Sequence, residues 1–254
     1  MKVSLFITCM CDVISPKVGK DTIELLEKLG CSVDFPKKQT CCGQPAFNSG
    51  YLQDSKKAMK QMMEAFCESE YVVSPSGSCV SMFKQYPAIF KDDPKWESRA
   101  RELAQKTYEI TQFIVDILAV SDVGSSFQGK IAYHPSCHMT RLLGVKNQPL
   151  HLLENIKGAT VIPIEGEEDC CGFGGLFSID NPIVSGSMVE EKANHILDTE
   201  VDVLVGGDMA CLMNIGGKID KMNHPLKIAH ITEVLNWTIK EGIDNEYNNR
   251  FSSL

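Results

Sequence analysis

Basic residues are in deficit: 25 Lys and Arg stand against 33 Asp and Glu, for a net charge of −8 and a pI near 5.3. A nucleic-acid binder carries a basic patch to neutralise phosphates, and nothing here supplies one, so DNA and RNA are not expected partners. No apolar run approaches the roughly 20 residues of a membrane-spanning helix. The N-terminal apolar run, residues 3–8, is much shorter than a signal-peptide core, so a cytoplasmic location, where thiols stay reduced, is expected. The chain has no C-x₂₋₄-C knuckle of the kind that builds most structural zinc sites. "GFGG" at 172–175 lacks G-x-G-x-x-G spacing, and there is no P-loop lysine, so nucleotide binding has no motif behind it. No Ser-His-Asp set or paired carboxylates stand out, which leaves hydrolysis unsupported.

What is abundant is cysteine. Eleven of them, an odd number in a chain large enough to fold on its own core, point to metal or redox chemistry rather than a disulfide framework. Cys31 and Cys67 read as small buried hydrophobes on a strand and a helix. Eight of the others form a repeat. Cys9, Cys41, Cys42 and Cys79 are matched by Cys137, Cys170, Cys171 and Cys211 at offsets of 128, 129, 129 and 132. The flanks agree: "TCCGQP" with "DCCGFGG", "YVVSPSGSC" with "VLVGGDMAC", and "ITQFIVDIL" (110–118) with "ITEVLNWTI" (231–239). The offset shortens after the last cysteine because the first half carries an added charged segment near 91–101. A Gly- and Ser-rich stretch, "SDVGSSFQG", separates the halves. The expected organisation is a unit at 1–121, a linker at 122–129 and a second unit at 130–254.

Each half alternates short apolar runs with helical spacing. "KVSLFIT", "CSVDF" and "YVVS" are strands separated by helices in "DTIELLEKLG" and "SKKAMKQMMEAF", whose methionines are packing residues. "KIAYH", "TVIPI", "DVLVGG" and "LKIAH", with helices in "QPLHLLENIKG" and "MVEEKANHIL", repeat the theme. The fold expected is an internally duplicated α/β architecture, two pseudo-twofold-related units each with a mostly parallel sheet flanked by helices.

In both halves the cysteines follow the strands, and in a parallel sheet those loops emerge at one edge, where ligand sites lie. Four thiols spread along the sequence are thereby gathered. Adjacent cysteines rarely bridge each other, since a trans peptide holds their Cα atoms near 3.8 Å, but a tight turn aims both sulfurs at one metal centre. Gly43 and Gly172 suit such a turn and give amides access to it. Thiolate-rich sites suit iron–sulfur clusters; zinc and metal-free thiol chemistry remain alternatives. Cys11, in the first half only, is a candidate extra ligand, as are His134 and His138 around Cys137, which otherwise serve as hydrogen-bonding groups. Arg141, Asp180 and Asp208 lie near the cysteine loops and read as site-facing or simply solvated.

"C…CCG…C", given twice, resembles the CCG cysteine-rich domain found in heterodisulfide reductase, in glycolate oxidase iron–sulfur subunits and in lactate utilization protein A. The chain length, "FITCMCD" and "HPSCHMTRLLG" single out the lactate utilization family. That resemblance implies an electron-transfer subunit, an oxidoreductase component working only with partners, in a multi-component system that oxidises L-lactate to pyruvate. It implies a 4Fe-4S type iron–sulfur cluster on the eight repeated cysteines and sister subunits that include a ferredoxin-type iron–sulfur protein. A glycolate- or disulfide-linked oxidoreductase subunit, or a zinc-binding assembly subunit, is the alternative. Those relatives often end each repeat in C-x-x-C; here Met82 and Asn214 stand at the final positions, so each half keeps four matched thiols.

Overall fold

The computed structural model describes residues 1–238. The chain divides into two compact units, Met1–Phe113 and Ile114–Leu254; residues 239–254 of the expected second unit, and the last residue of the matched segment 231–239, lie outside the described residues.

In the first unit, strands β1 (Lys2–Leu5), β2 (Ser32–Asp34), β3 (Tyr71–Ser74) and β4 (Thr107–Glu109) form a four-stranded sheet in the order β2-β1-β3-β4. Every pairing is parallel, with Val3 opposite both Val33 and Tyr71, and Val72 opposite Thr107. The second unit repeats this with β5 (Ser126–His134), β6 (Lys157–Ile162), β7 (Val203–Gly206) and β8 (Lys227–His230) in the order β6-β5-β7-β8, again all parallel. The fold is an internally duplicated α/β architecture, as expected. Central strands read as continuous apolar runs because helices cover both faces; β7 is buried throughout, whereas the edge strand β2 alternates between exposed and half-buried residues.

Helices start where the sequence signals a stop to extended chain. Pro16 opens the helix Pro16–Lys28 and Pro94 opens Pro94–Lys106, each in the first turn where a missing N–H costs nothing. Asp93 caps the latter by accepting from Trp96 N. At the end of the fourth strand Glu109 accepts from Thr111 N at 2.8 Å and Gln112 N at 3.1 Å, and His230 does the same job in the second unit with Glu233 completing a capping box. In both units the capping residue stands immediately before the matched "IT" that opens segments 110–118 and 231–239.

Several boundaries differ from expectation. Helix Pro94–Lys106 is the insertion that shortens the repeat offset: unit one passes through it between helix Gly77–Ile89 and β4, whereas unit two runs from helix Met209–Lys221 to β8 directly. Strand β4, three residues long after a charged helix, has too little pattern to be read from sequence. The segment 110–118 is one short helical turn, Ile110–Gln112, followed by a π turn, Phe113–Ile117. Residues 126–129, placed within the linker 122–129, begin β5, because Ser126 N donates to Trp237 O and Lys157 N donates to Ser125 O, extending the sheet edge. Cys31 is buried as expected; Cys67 is exposed in the turn after helix Leu52–Ala65 and not a core residue. Among the described residues no helix is long and apolar enough to cross a membrane.

The first unit's core is aromatic. Phe6 stacks on Phe83 with centroids 4.9 Å apart and meets Phe66 edge-on at 5.9 Å, and Phe83 leans on Tyr86 at 5.1 Å. Met59, Met62 and Met63 fill the remaining space, and Cys42 and Cys79 belong to the same cluster. Phe83→Ala is expected to destabilise this unit by about 3–5 kcal/mol through lost burial and an unfilled cavity, seen as a lower denaturant midpoint, with the drop in midpoint measured against the unmodified chain.

Candidate metal centres at the sheet edges

In each unit the chain leaves the first strand toward one side and returns to add the third strand on the other side. The loops after β1 and β3, and after β5 and β7, therefore diverge and leave a crevice at the carboxyl edge. Cys9 opens the helix after β1, Cys79 sits in the first turn of the helix after β3, and the pair Cys41–Cys42 is carried in on the loop after β2. Cys137, Cys211 and Cys170–Cys171 take the matching places.

The sulfurs meet. Cys9 Sγ lies 3.9 Å from Cys41 Sγ, and Cys42 Sγ lies 3.5 Å from Cys79 Sγ. In the second unit Cys137 Sγ is 4.0 Å from Cys170 Sγ, and Cys171 and Cys211 fall with His134 into one group whose ligating atoms are all within 4.8 Å of one another. Burial is graded: Cys42, Cys79, Cys171 and Cys211 are buried, Cys41, Cys137 and Cys170 are half-buried, and Cys9 is exposed. Each quartet thus has an inner edge in the core and an outer edge at solvent.

The turn between the inner and outer sulfurs depends on glycine. Gly43 has φ +84° and Gly172 φ +81°, left-handed values that side chains resist. A Cβ on Gly172 would stand 2.8 Å from Ser185 O, and one on Gly43 would stand 3.0 Å from Ser55 Oγ. The bare turn lets Gly172 N donate to Cys170 Sγ at 3.4 Å. Different residues pin the two turns from the helix after the third strand. Tyr86 donates its hydroxyl to Cys42 O at 2.6 Å, and Asn214 donates its amide to Cys171 O at 2.8 Å.

Proton sharing within each quartet is unequal. Hydrogen bonds from Cys42 and Cys9, reinforced by the Gly43 amide, lower the Cys41 thiol to about 3. Donation from Cys137 and Cys171, then the Gly172 amide, lowers Cys170 to about 2. The donors move the other way: Cys9 and Cys42 are raised chiefly by bonding to Cys41, and Cys137 and Cys171 chiefly by bonding to Cys170. In each quartet the lowered sulfur carries charge, and the thiols raised by donating to it keep their protons.

His134 is the last residue of β5, 1% exposed, and burial lowers its pKa to about 3, so the ring is neutral. Among the described residues neither of its ring nitrogens has a hydrogen-bond partner. His138 Nδ1 lies 3.5 Å from Cys137 Sγ at the half-buried outer edge. Cys11 is fully buried at the place Met139 takes in the second unit, a core position on the helix after the first strand. Arg141 donates to Glu168 O at 2.7 Å, bracing the loop that leads into Cys170. Asp208 is buried at the start of helix Met209–Lys221, and Asp180 is exposed.

Sequence reasoning missed Lys192. Its side chain is 1% exposed, and its Nζ donates to Gly166 O and to Glu167 O in the loop before the cysteine pair. Its signal in sequence is a lysine at an apolar phase of helix Pro182–Leu197. The matching position in the burial pattern of helix Leu52–Ala65 is Met62, whose Sδ accepts from Thr40 N at 3.0 Å. Both reach the same loop, one with a charge and one without.

The donor set fits a metal or cluster centre: four sulfurs gathered at a switch point, a left-handed glycine turn that frees an amide to face sulfur, and in the second unit a buried imidazole without a hydrogen-bond partner among the described residues. The CCG cysteine-rich domain profile matches residues 3–84 and 131–216, once in each unit. "Lactate utilization protein A" of Oceanobacillus iheyensis is 61% identical over 95% of this chain and 99% of its own length. The protein of that name from Bacillus subtilis is 56% identical, covering 93% of this chain and 99% of the relative. In fold, the chain is similar to a hypothetical protein from Helicobacter pylori, with TM-score 0.62 and 13% identity over 97% of this chain and 52% of that one; this chain therefore spans about half the length of that protein.

Because the charged sulfurs are also partly exposed, they should react first in metal-free protein. At about pH 6, iodoacetamide is expected to alkylate Cys41 and Cys170 well ahead of Cys31, whose thiol burial pushes up. The lowered groups hold their charge above their own pKa and lose it only as the pH falls through it, so this preference persists into mild acid. Peptide mass spectrometry of a short pulse checks the order; Cys31 labelling first would contradict it.

Proposed function

The chain belongs to the lactate utilization protein A family, with the CCG cysteine-rich domain present twice, and on that premise we propose that it is an iron–sulfur electron-transfer subunit of an L-lactate-oxidising system. The observation that carries the reading is the graded quartet: in both units four sulfurs converge, the inner pair rooted in the core and the outer pair at solvent.

An iron–sulfur centre supplies one-electron transfer, which takes electrons released as lactate becomes pyruvate and hands them on. In this chain Cys9, Cys41, Cys42 and Cys79 hold the first centre, and Cys137, Cys170, Cys171 and Cys211 the second. The donors that now keep protons on Cys9, Cys42, Cys137 and Cys171 must release them when metal binds, so assembly is coupled to proton loss. Gly43 and Gly172 give room for an amide to face the centre. Tyr86 and Asn214 keep the turns from shifting, and Lys192 sets a positive charge beneath the second one. The outer sulfurs at the surface give a partner a short path to each centre. The partners on this reading are sister lactate-utilization subunits, among them a ferredoxin-type iron–sulfur protein, and the setting is cytoplasmic.

Cys42→Ser and Cys171→Ser, made separately and reconstituted anaerobically with iron and sulfide, are each expected to lose a distinct share of the iron and to abolish lactate-dependent electron transfer in the assembled complex. Iron analysis and electron paramagnetic resonance read the first outcome and dye reduction the second. Colourless protein with bound zinc, or variants that keep full iron and activity, would overturn the proposal.

A further inference from the structure

The two units can be compared position by position, because their burial patterns run in step from the first strand through the cysteine. Val3 and Ile131 hold the same place in their sheets, opposite Tyr71 and Val203. Three residues on, the first unit has Phe6 and the second has His134. Phe6 is a packing residue, stacked on Phe83. The position therefore needs no polar atom to hold the fold.

His134 puts two polar atoms there and finds no partner for either among the described residues. Leaving buried donors or acceptors unmet is unfavourable, a cost the apolar residue in the first unit avoids. The ring lies with Cys171 and Cys211 in a group whose ligating atoms span no more than 4.8 Å. Ligands on one tetrahedral metal at ordinary N and S bond lengths sit about 3.3–3.8 Å apart, so a shift of about 1 Å closes the group around an ion.

We propose that His134 is a metal ligand of the second unit, acting with Cys171 and Cys211, so that the chain's two centres differ in kind: thiolate alone in the first, thiolate with imidazole in the second. This rests on the reading that the second quartet holds a metal centre. A neutral imidazole coordinates without bringing the negative charge a thiolate at that position would add, so it leaves the centre more positive and easier to reduce than a cysteine there would, the direction in which histidine ligation shifts Rieske-type centres. Lys192, in place of Met62, acts in the same direction. The second centre is the one with the higher reduction potential.

The test uses the full chain carrying Cys42→Ser, which disables the first quartet and leaves the second to be read alone. After anaerobic loading with iron and sulfide and reduction, pulsed electron paramagnetic resonance should show nitrogen coupling that changes when histidine is labelled with nitrogen-15. Adding His134→Phe, the first unit's own residue, should remove that coupling and weaken iron retention by at least about tenfold. His134→Cys should restore retention without nitrogen coupling and move the potential to a more negative value, an exchange that a purely structural role would not produce. Bound iron without nitrogen coupling, or coupling unchanged by His134→Phe, overturns the inference while leaving the iron–sulfur reading in place. If the Cys42→Ser chain takes up no iron, that reading fails for this quartet, and cobalt(II) titration decides the inference: binding weakened at least tenfold by His134→Phe supports it, and equal binding overturns it.

Discussion

The parallel pairing of β1 with β3, and of β5 with β7, is the constraint on which both sites depend. Because β2 and β6 lie on the opposite sides of β1 and β5, the chain must cross back over its own first strand before it can add the third. The loops leaving those neighbouring strands then turn away from each other, and the crevice between them is fixed by backbone hydrogen bonds in the centre of the sheet. Cys9 and Cys79 face it from two helix starts while the adjacent cysteines are delivered from the edge strand. Sulfurs 32 and 37 residues apart are brought within bridging range without any covalent link.

Hydrogen bonding among the sulfurs, with burial behind it, then decides their protonation. An interior that accommodates the inner sulfurs cannot also accommodate four negative charges, since each added thiolate repels the others where water screens poorly. The charge gathers at Cys41 and Cys170, with neighbouring thiols donating to each. These sites are preorganised in position but not in charge.

Duplication supplied two copies of this arrangement, and substitution around them made them unequal. The cysteines, the left-handed glycine turn and the strand order are shared. What differs is the surroundings: Phe6 against His134, Met62 against Lys192, Tyr86 against Asn214 as the group that pins the turn. Each change exchanges an apolar or differently placed group for a polar one on the second side without disturbing the frame, since these side chains point from the ends of strands and the inner faces of helices. The first unit uses its aromatic residues for packing beneath the crevice, and the second places its polar atoms there instead.

The sequence by itself determined the duplication, the parallel α/β class and the eight repeated cysteines, because strand and helix periods and residue spacing are local properties written directly in residue order. It also marked Gly43 and Gly172, since a glycine after paired cysteines implies a turn that side chains resist. Strand β4 and the start of β5 were not legible, as a three-residue strand and a sheet edge tied to Trp237 have no periodicity of their own. Lys192 and the orphaned state of His134 were out of reach for a different reason. Whether a lysine in a helix or a histidine at a strand end faces water or a ring of sulfurs depends on which distant segments fold against it, and that is decided only when the sheet assembles.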